Sequence, residues 1–110
     1  MIRLREVRGA GGVRLALRET GPEDAPAILL IHGWSQASLA WEKQLAGPLA
    51  ARYRLVAPDL RGHGASDKPD DPAAYDTPAP WAADVAALIA QRDLGAPLLV
   101  GWSMGGWVCC

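Results

Sequence analysis

The sequence predicts an α/β fold: a mostly parallel sheet flanked by helices, with an antiparallel hairpin at its N-terminal edge. Three observations carry this. Ala27-Ile28-Leu29-Leu30-Ile31 is apolar at every position, as expected of a strand buried on both faces in the middle of a helix-covered parallel sheet. Strand-like and helix-like segments then alternate, the order that winds such a sheet with right-handed crossovers. The last apolar run, Leu98-Leu99-Val100, reads as a buried strand and leads straight into Gly101-Trp102-Ser103-Met104-Gly105, a Gly-x-Ser-x-Gly at a strand-to-helix junction.

Composition sets outer bounds. A chain of 110 residues is one domain at most, and 50% apolar content suffices for a packed core. A formal charge of −1 gives no electrostatic reason to expect nucleic acid or acidic lipid as partner. Met1-Ile2-Arg3-Leu4-Arg5-Glu6 lacks the apolar stretch of a signal peptide. No apolar run nears the ~20 residues that span a bilayer, so a cytoplasmic location without membrane contact is the default expectation. The two cysteines, Cys109 and Cys110, are adjacent, which supports neither a disulfide framework nor a metal site and reads as two small apolar helix residues.

Taken in order, Ile2, Leu4 and Val7 fall among charged residues in an imperfect half-buried strand pattern. Gly9-Ala10-Gly11-Gly12 turns the chain into Val13–Glu19, which alternates cleanly, so the pair reads as a hairpin with its polar residues on one face. Thr20–Pro26 is a loop by composition. After Ala27–Ile31 comes His32-Gly33-Trp34-Ser35, and a helix is expected from Ser38 or Leu39 towards Ala51. Leu45 and Leu49 would share a face there, with Gly47-Pro48 weakening the middle. Arg54–Ala57 is a short strand stopped by Pro58-Asp59, and a glycine-punctuated loop follows to Pro69. Thr77-Pro78 suits a helix entry, N-cap then proline. Trp81, Val85, Leu88 and Ile89 lie on one face of that helix and Asp84 off it. Gly95 ends the helix before Leu98.

The chemistry gathers at the carboxyl ends of the strands, where such sheets bind ligands. His32-Gly33-Trp34, Asp59–Gly64 and the Ser103 turn all fall there. A serine at a sharp strand-to-helix turn has its Oγ pushed out above the sheet. Gly101 and Gly105 leave room, since a Cβ at either would collide with a neighbouring strand or helix. Ser103 is therefore the candidate nucleophile, attacking an acyl carbonyl to form an acyl-enzyme. The backbone N–H groups of Met104 and Trp34 are the candidate donors to the developing oxyanion. Trp34 and Trp102 flank this centre and fit an acyl-pocket wall or plain packing, whereas Trp41 and Trp81 read as packing. His32 and His63 are read as structural rather than as a general base, Asp59 as a turn-stabilising carboxylate, and Ser66 and Asp67 as fixing their loop.

The residues Ile31-His32-Gly33-Trp34, Asp59–Pro69 and Gly101–Gly106 together resemble the N-terminal part of an α/β-hydrolase-fold enzyme. The similarity is closest to serine carboxylesterases, cofactor-free haloperoxidase-like esterases and carbon–carbon bond hydrolases. It implies a sheet of eight strands, five of them here, and a Ser–acid–His triad in that chain order, with Ser103 as nucleophile and no cofactor. Epoxide hydrolases and haloalkane dehalogenases of the family carry Asp at this position, so Ser103 argues against both.

The triad acid and histidine should follow the nucleophile, yet seven residues follow Ser103. The expectation is therefore that residues 1–110 are the N-terminal part of a single, incomplete domain whose parent hydrolyses small carboxylic esters or related acyl compounds. A non-catalytic truncated product or a half-domain that needs a complementary chain, and an acyltransferase using the same serine, are the alternatives. Leu98–Val100 would form an apolar edge through which the chain self-associates.

Overall fold

A computed structural model describes residues 2–109. Cys110 lies outside the described residues, while Cys109 is half-buried and packs against the core. Strands β1 (Arg3–Arg8) and β2 (Arg14–Thr20) form the predicted hairpin, with Arg3 opposite Glu19 and Arg8 opposite Arg14. The turn between them places Gly11 and Gly12 at φ 66° and 79°, which glycine adopts without a steric penalty.

The other edge of β2 pairs antiparallel with β4 (Arg54–Pro58), and β4 runs parallel to β3 (Ala27–Ile31), itself parallel to β5 (Leu98–Gly101). The sheet order is β1-β2-β4-β3-β5. The chain steps one way from β3 to β4, then back across β3 to reach β5. With crossovers of one hand, that reversal puts the connecting helices on opposite faces. Accordingly Leu29, Ile31 and Val56 pack with Trp81, Val85 and Leu88 of α2 (Pro78–Gln91). Their neighbours Leu30, Leu55 and Ala57 pack with Leu45 of α1 (Glu42–Ala46). The period of two along each strand thus feeds two cores. A crevice opens where the winding reverses, at the carboxyl end of β3. The last helix, α3 (Met104–Cys109), starts beside it and buries Val108 on the α2 side.

Four expectations need correction. The segment 38–51 is not one helix but a tight turn at Ser38–Trp41, the short α1, and another turn at Pro48–Ala51. Gly47 is extended, and Pro48 opens the next turn because it cannot continue a helix. Leu45 is consequently buried while Leu49 is 44% exposed, so they do not share a face. Thr77 occupies the cap position of α2 but its side chain makes no capping bond. Along β5, Leu98 is 62% exposed, because among the described residues this strand pairs only with β3.

The larger corrections concern charge. Glu19 is fully buried on the face of β2 that holds Leu15 and Leu17, so the polar residues of the hairpin are not confined to one side. Three arginines surround it: Arg92 at 2.6 Å, Arg54 at 3.4 Å and Arg3 at 3.9 Å. Burial raises its pKa, but the Arg92 hydrogen bond and the charges of Arg54 and Arg92 outweigh this and hold it below the ordinary value.

Asp84 is buried as well, three residues after Trp81 and four before Leu88, in the middle of the apolar stripe of α2. Nε and Nη2 of Arg61 donate to its two oxygens at 2.6 and 2.8 Å, and the Ala10 N–H donates at 2.8 Å. The Arg61 guanidinium also donates to the carbonyls of Ala74 and Ala10, each at 3.2 Å. Removing one member of such a pair leaves a charge in the core and costs about 3–5 kcal/mol. Urea unfolding of Asp84→Ala should register a loss of that size, and adding Arg61→Met should restore most of it. An unchanged unfolding midpoint in Asp84→Ala would refute this.

Candidate active site

Between β5 and α3 the chain bends within two residues. The Trp102 N–H donates to the Ile31 carbonyl of β3 at 3.0 Å, and the N–H groups of Gly105 and Gly106 return to the carbonyls of Trp102 and Ser103, each at 2.9 Å. Ser103 sits between them at φ 55° and is exposed. A left-handed conformation costs a non-glycine residue about 1–3 kcal/mol, and the packing around it shows what imposes it. A Cβ on Gly105 would strike the carbonyl oxygens of Ile31 and His32, and one on Gly101 would strike the backbone of Gly105 and Gly106. The first turn of α3 is thus pressed onto the ends of β3 and β5, and Ser103 takes up the bend.

The loop after β3 lies against this turn. A Cβ on Gly33 would come within 3.2 Å of both the carbonyl oxygen and Cδ1 of Trp102. The Gly33 N–H donates to Gln36 Oε1 at 3.0 Å, the Gln36 N–H to the Gly33 carbonyl at 3.2 Å, and the Ser35 N–H to His63 Nε2 at 3.2 Å. Among the described residues, the Trp34 N–H between them has no acceptor. Met104 opens α3, where the N–H groups of a first turn have no partner within their own helix. Among the described residues, the N–H groups of Trp34 and Met104, on the loop after β3 and at the start of α3, thus have no acceptor of their own.

Both histidines are held at both ring nitrogens. His32 is fully buried; its Nδ1–H donates to the Gly33 carbonyl at 2.8 Å, and its Nε2 accepts the Leu60 N–H at 3.0 Å. Burial, only partly offset by the Gly33 bond, keeps its pKa below the ordinary value, so the ring stays neutral. In His63, Nδ1–H donates to the Arg61 carbonyl at 2.9 Å and Nε2 takes the Ser35 N–H. Its ring lies 5.0 Å from that of His32. Neither ring has a nitrogen left over for a reacting group. Asp59 is occupied in the same way, by the N–H groups of Ser38 at 2.7 Å and Ala65 at 3.0 Å.

Ser66 and Asp67 tie the loop after β4 back to the hairpin. Ser66 Oγ accepts the Ala16 N–H and donates to the Asp59 carbonyl, while Asp67 accepts the Arg14 N–H at 2.9 Å. That backbone bond, with the Arg14 guanidinium, holds the Asp67 carboxyl below its usual range against the opposing effect of burial.

Trp34 and Trp102 line different hollows. Trp34, 66% exposed, borders one of about 240 Å³ with Ser35, Gly62, His63 and Tyr75. Trp102 borders one of about 200 Å³ with Gln36, Ala40, Trp41 and Gln44. Trp81 is a core residue, Trp41 is half-buried against the α1 core, and Trp107 is exposed. Among the described residues, no three His, Cys, Asp or Glu side chains come together as metal ligands, and no helix is long and apolar enough to cross a membrane.

Comparison with known proteins identifies the frame. Residues 28–110 match the model of the alpha/beta hydrolase family. The chain belongs to that family. Among curated relatives of this chain, a non-heme chloroperoxidase from Streptomyces lividans is 37% identical over 100 residues, 91% of this chain and 35% of the relative. Among solved structures, an esterase from a Rhodococcus species is 44% identical with a TM-score of 0.88, covering 97% of this chain and 38% of that one. An epoxide hydrolase from Vigna radiata is 31% identical with a TM-score of 0.89, covering 98% and 34%. The chain spans about a third of the length of the curated relatives it matches.

The relatives of this alpha/beta hydrolase family member thus include esterases, a chloroperoxidase and epoxide hydrolases. The buried ion pair of Arg61 and Asp84 escapes a reading by motif. Its signal is a carboxylate at helical spacing within an apolar stripe, which needs a buried cation.

The neutral His32 makes stability depend on pH with a definite sign. The unfolded chain takes up a proton near the ordinary value of 6.5, whereas the folded chain resists until lower pH. Stability is therefore full above about 6.5 and is lost as pH falls below it. Unfolding free energies measured from pH 8 to 5.5 should decline at the acid end, and His32→Gln should flatten that decline. A flat profile in the unmodified chain would contradict the neutral assignment.

Proposed function

We propose that the parent of this chain is a serine hydrolase of carboxylic esters or related acyl compounds, with Ser103 as nucleophile, and that residues 1–110 are the N-terminal part of its catalytic domain. The single observation that carries this reading is the exposed Ser103 at φ 55° in the turn after β5, against which the loop after β3, with the uncommitted Trp34 N–H, packs at Gly33 and Trp102. In the proposed step, Oγ bonds to the acyl carbon, the carbonyl π pair moves onto oxygen, and the N–H groups of Trp34 and Met104 receive that oxyanion. Collapse expels the alcohol and leaves an acyl-enzyme, which water then hydrolyses. Preset donors in such a site are each worth about 10²–10³ in rate. The esterase relatives support this chemistry. The epoxide hydrolase relatives do not supply the same reaction, because Ser replaces the Asp that such enzymes carry at this position in the resemblance described above.

The hydroxyl proton needs a base, and His32 and His63 are both committed at each nitrogen. Loss of the base alone lowers turnover by as much as about 10⁶. The 110-residue chain should therefore show no Ser103-dependent turnover of p-nitrophenyl acetate, and a fluorophosphonate probe should label it slowly but at Ser103 alone. Labelling that is undiminished in Ser103→Ala, read by peptide mass spectrometry, would sink the assignment.

A second reading, pairing with another chain, is favoured by one observation. The outer edge of β5 carries Leu98, 62% exposed, and Leu99, 38% exposed. Unpaired apolar edges recruit further strands. We propose that the 110-residue chain self-associates along β5. Sedimentation velocity at micromolar concentration should give species larger than monomer, and Leu98→Lys should shift them towards monomer. A single monomeric boundary for the unmodified chain would rule this out.

A further inference from the structure

The turn that carries the Trp34 N–H includes Ser35 at φ 61°, a conformation that a residue with a Cβ adopts only when its surroundings impose it. Two of the bonds that hold this turn are internal, between Gly33 and Gln36. A third comes from the residue just before the turn, His32, whose Nδ1–H donates to the Gly33 carbonyl, and the bond that ties the turn to another loop is the one from the Ser35 N–H to Nε2 of His63. His63 is itself fixed. Its Nδ1–H is committed to the Arg61 carbonyl, which leaves Nε2 with a lone pair, and Arg61 is clamped to Asp84 of α2. The same imidazole meets the Trp34 ring edge-on, with centroids 5.6 Å apart and planes at 82°, and rests against Trp81 at 6.0 Å. A buried chain of contacts thus runs from α2 through Arg61 and His63 to the peptide next to the Trp34 amide.

We propose that His63 is a positioning residue for the Trp34 N–H: by accepting the Ser35 N–H and bracing the Trp34 ring, it aims that donor at an oxyanion formed on Ser103. The role as oxyanion donor rests on the acyl-transfer reading above; the hold of His63 on the turn does not. An imidazole is suited to this because its two nitrogens differ. One donates to the loop after β4 and the other accepts from the loop after β3, so a single side chain fixes the spacing between them. A phenyl ring of similar size would keep the packing and lose both bonds. A glutamine places its carbonyl oxygen about as far from Cβ as Nε2 and would keep the acceptor.

The test compares the 110-residue chain with His63→Phe and His63→Gln, using amide NMR together with fluorophosphonate labelling of Ser103. In the unmodified chain, two-bond ¹⁵N–¹H spectra should show the Nδ1–H tautomer at His63. In His63→Phe the Ser35 amide proton should move upfield and its exchange protection should fall about tenfold, as for one lost hydrogen bond. Labelling at Ser103 should slow by about tenfold, less than the 10²–10³ for a donor removed outright. His63→Gln should recover much of both, which separates loss of the acceptor from general loosening of the fold. A Ser35 amide unchanged in His63→Phe, or equal labelling rates in all three chains, would overturn the proposal. Absent labelling in the unmodified chain counts against the role of Ser103 instead, and the Ser35 amide still decides whether His63 holds the turn.

Discussion

The turn that carries Ser103 depends on a close approach between backbones. The first turn of α3 lies so near the carbonyls of Ile31 and His32 that only hydrogen fits at position 105, and so near the end of β5 that only hydrogen fits at 101. Two strand ends and a helix therefore share a space that side chains would fill. The chain between them has two residues in which to reverse, and Ser103 takes the left-handed conformation that results. Its strain is balanced by backbone hydrogen bonds that only this approach permits, from Trp102 to Ile31 and from Gly105 and Gly106 to the turn.

Around that contact, the loops at the carboxyl ends of β3 and β4 are partly buried without regular structure. Their amides cannot be left dry, since each unpaired buried group costs about as much as a lost hydrogen bond. His32, Asp59 and His63 meet that requirement by reaching across from one loop to the other, and Ser66 by joining Asp59 to Ala16 of β2. Residues that might look like spare acids and bases are thereby committed to the scaffold. Among the described residues, the Trp34 amide of the loop after β3 has no such partner.

Two buried charge clusters flank the sheet, Arg61–Asp84 near the carboxyl ends and Glu19 with Arg54 and Arg92 by the carboxyl end of α2. Desolvation makes such pairs weak as net stabilisers. Their effect is geometric. Arg61 joins α2, the hairpin turn at Ala10 and the loop after β4 in one hydrogen-bonded unit. Neither cluster follows from hydropathy. Asp84 occupies an apolar stripe and Glu19 an apolar strand face, positions at which a pattern of hydrophobic residues alone argues for something else.

The sequence by itself determined the strand order along the chain, the ends of the elements and the place of the Ser103 bend. Those depend on neighbours in the chain: an unbroken apolar run at Ala27–Ile31, prolines at 48 and 78, glycines at 101 and 105. The family followed from the same local signals and covers residues 28–110. The tertiary structure decided which charges are buried, which tautomer each histidine adopts and which amide is left uncommitted. Each is set by a partner from another part of the chain, as Ser35 is by His63 and Arg61 by Asp84, 28 and 23 residues apart. Local propensity carries no record of such partners, because only the closed sheet brings them within hydrogen-bonding distance.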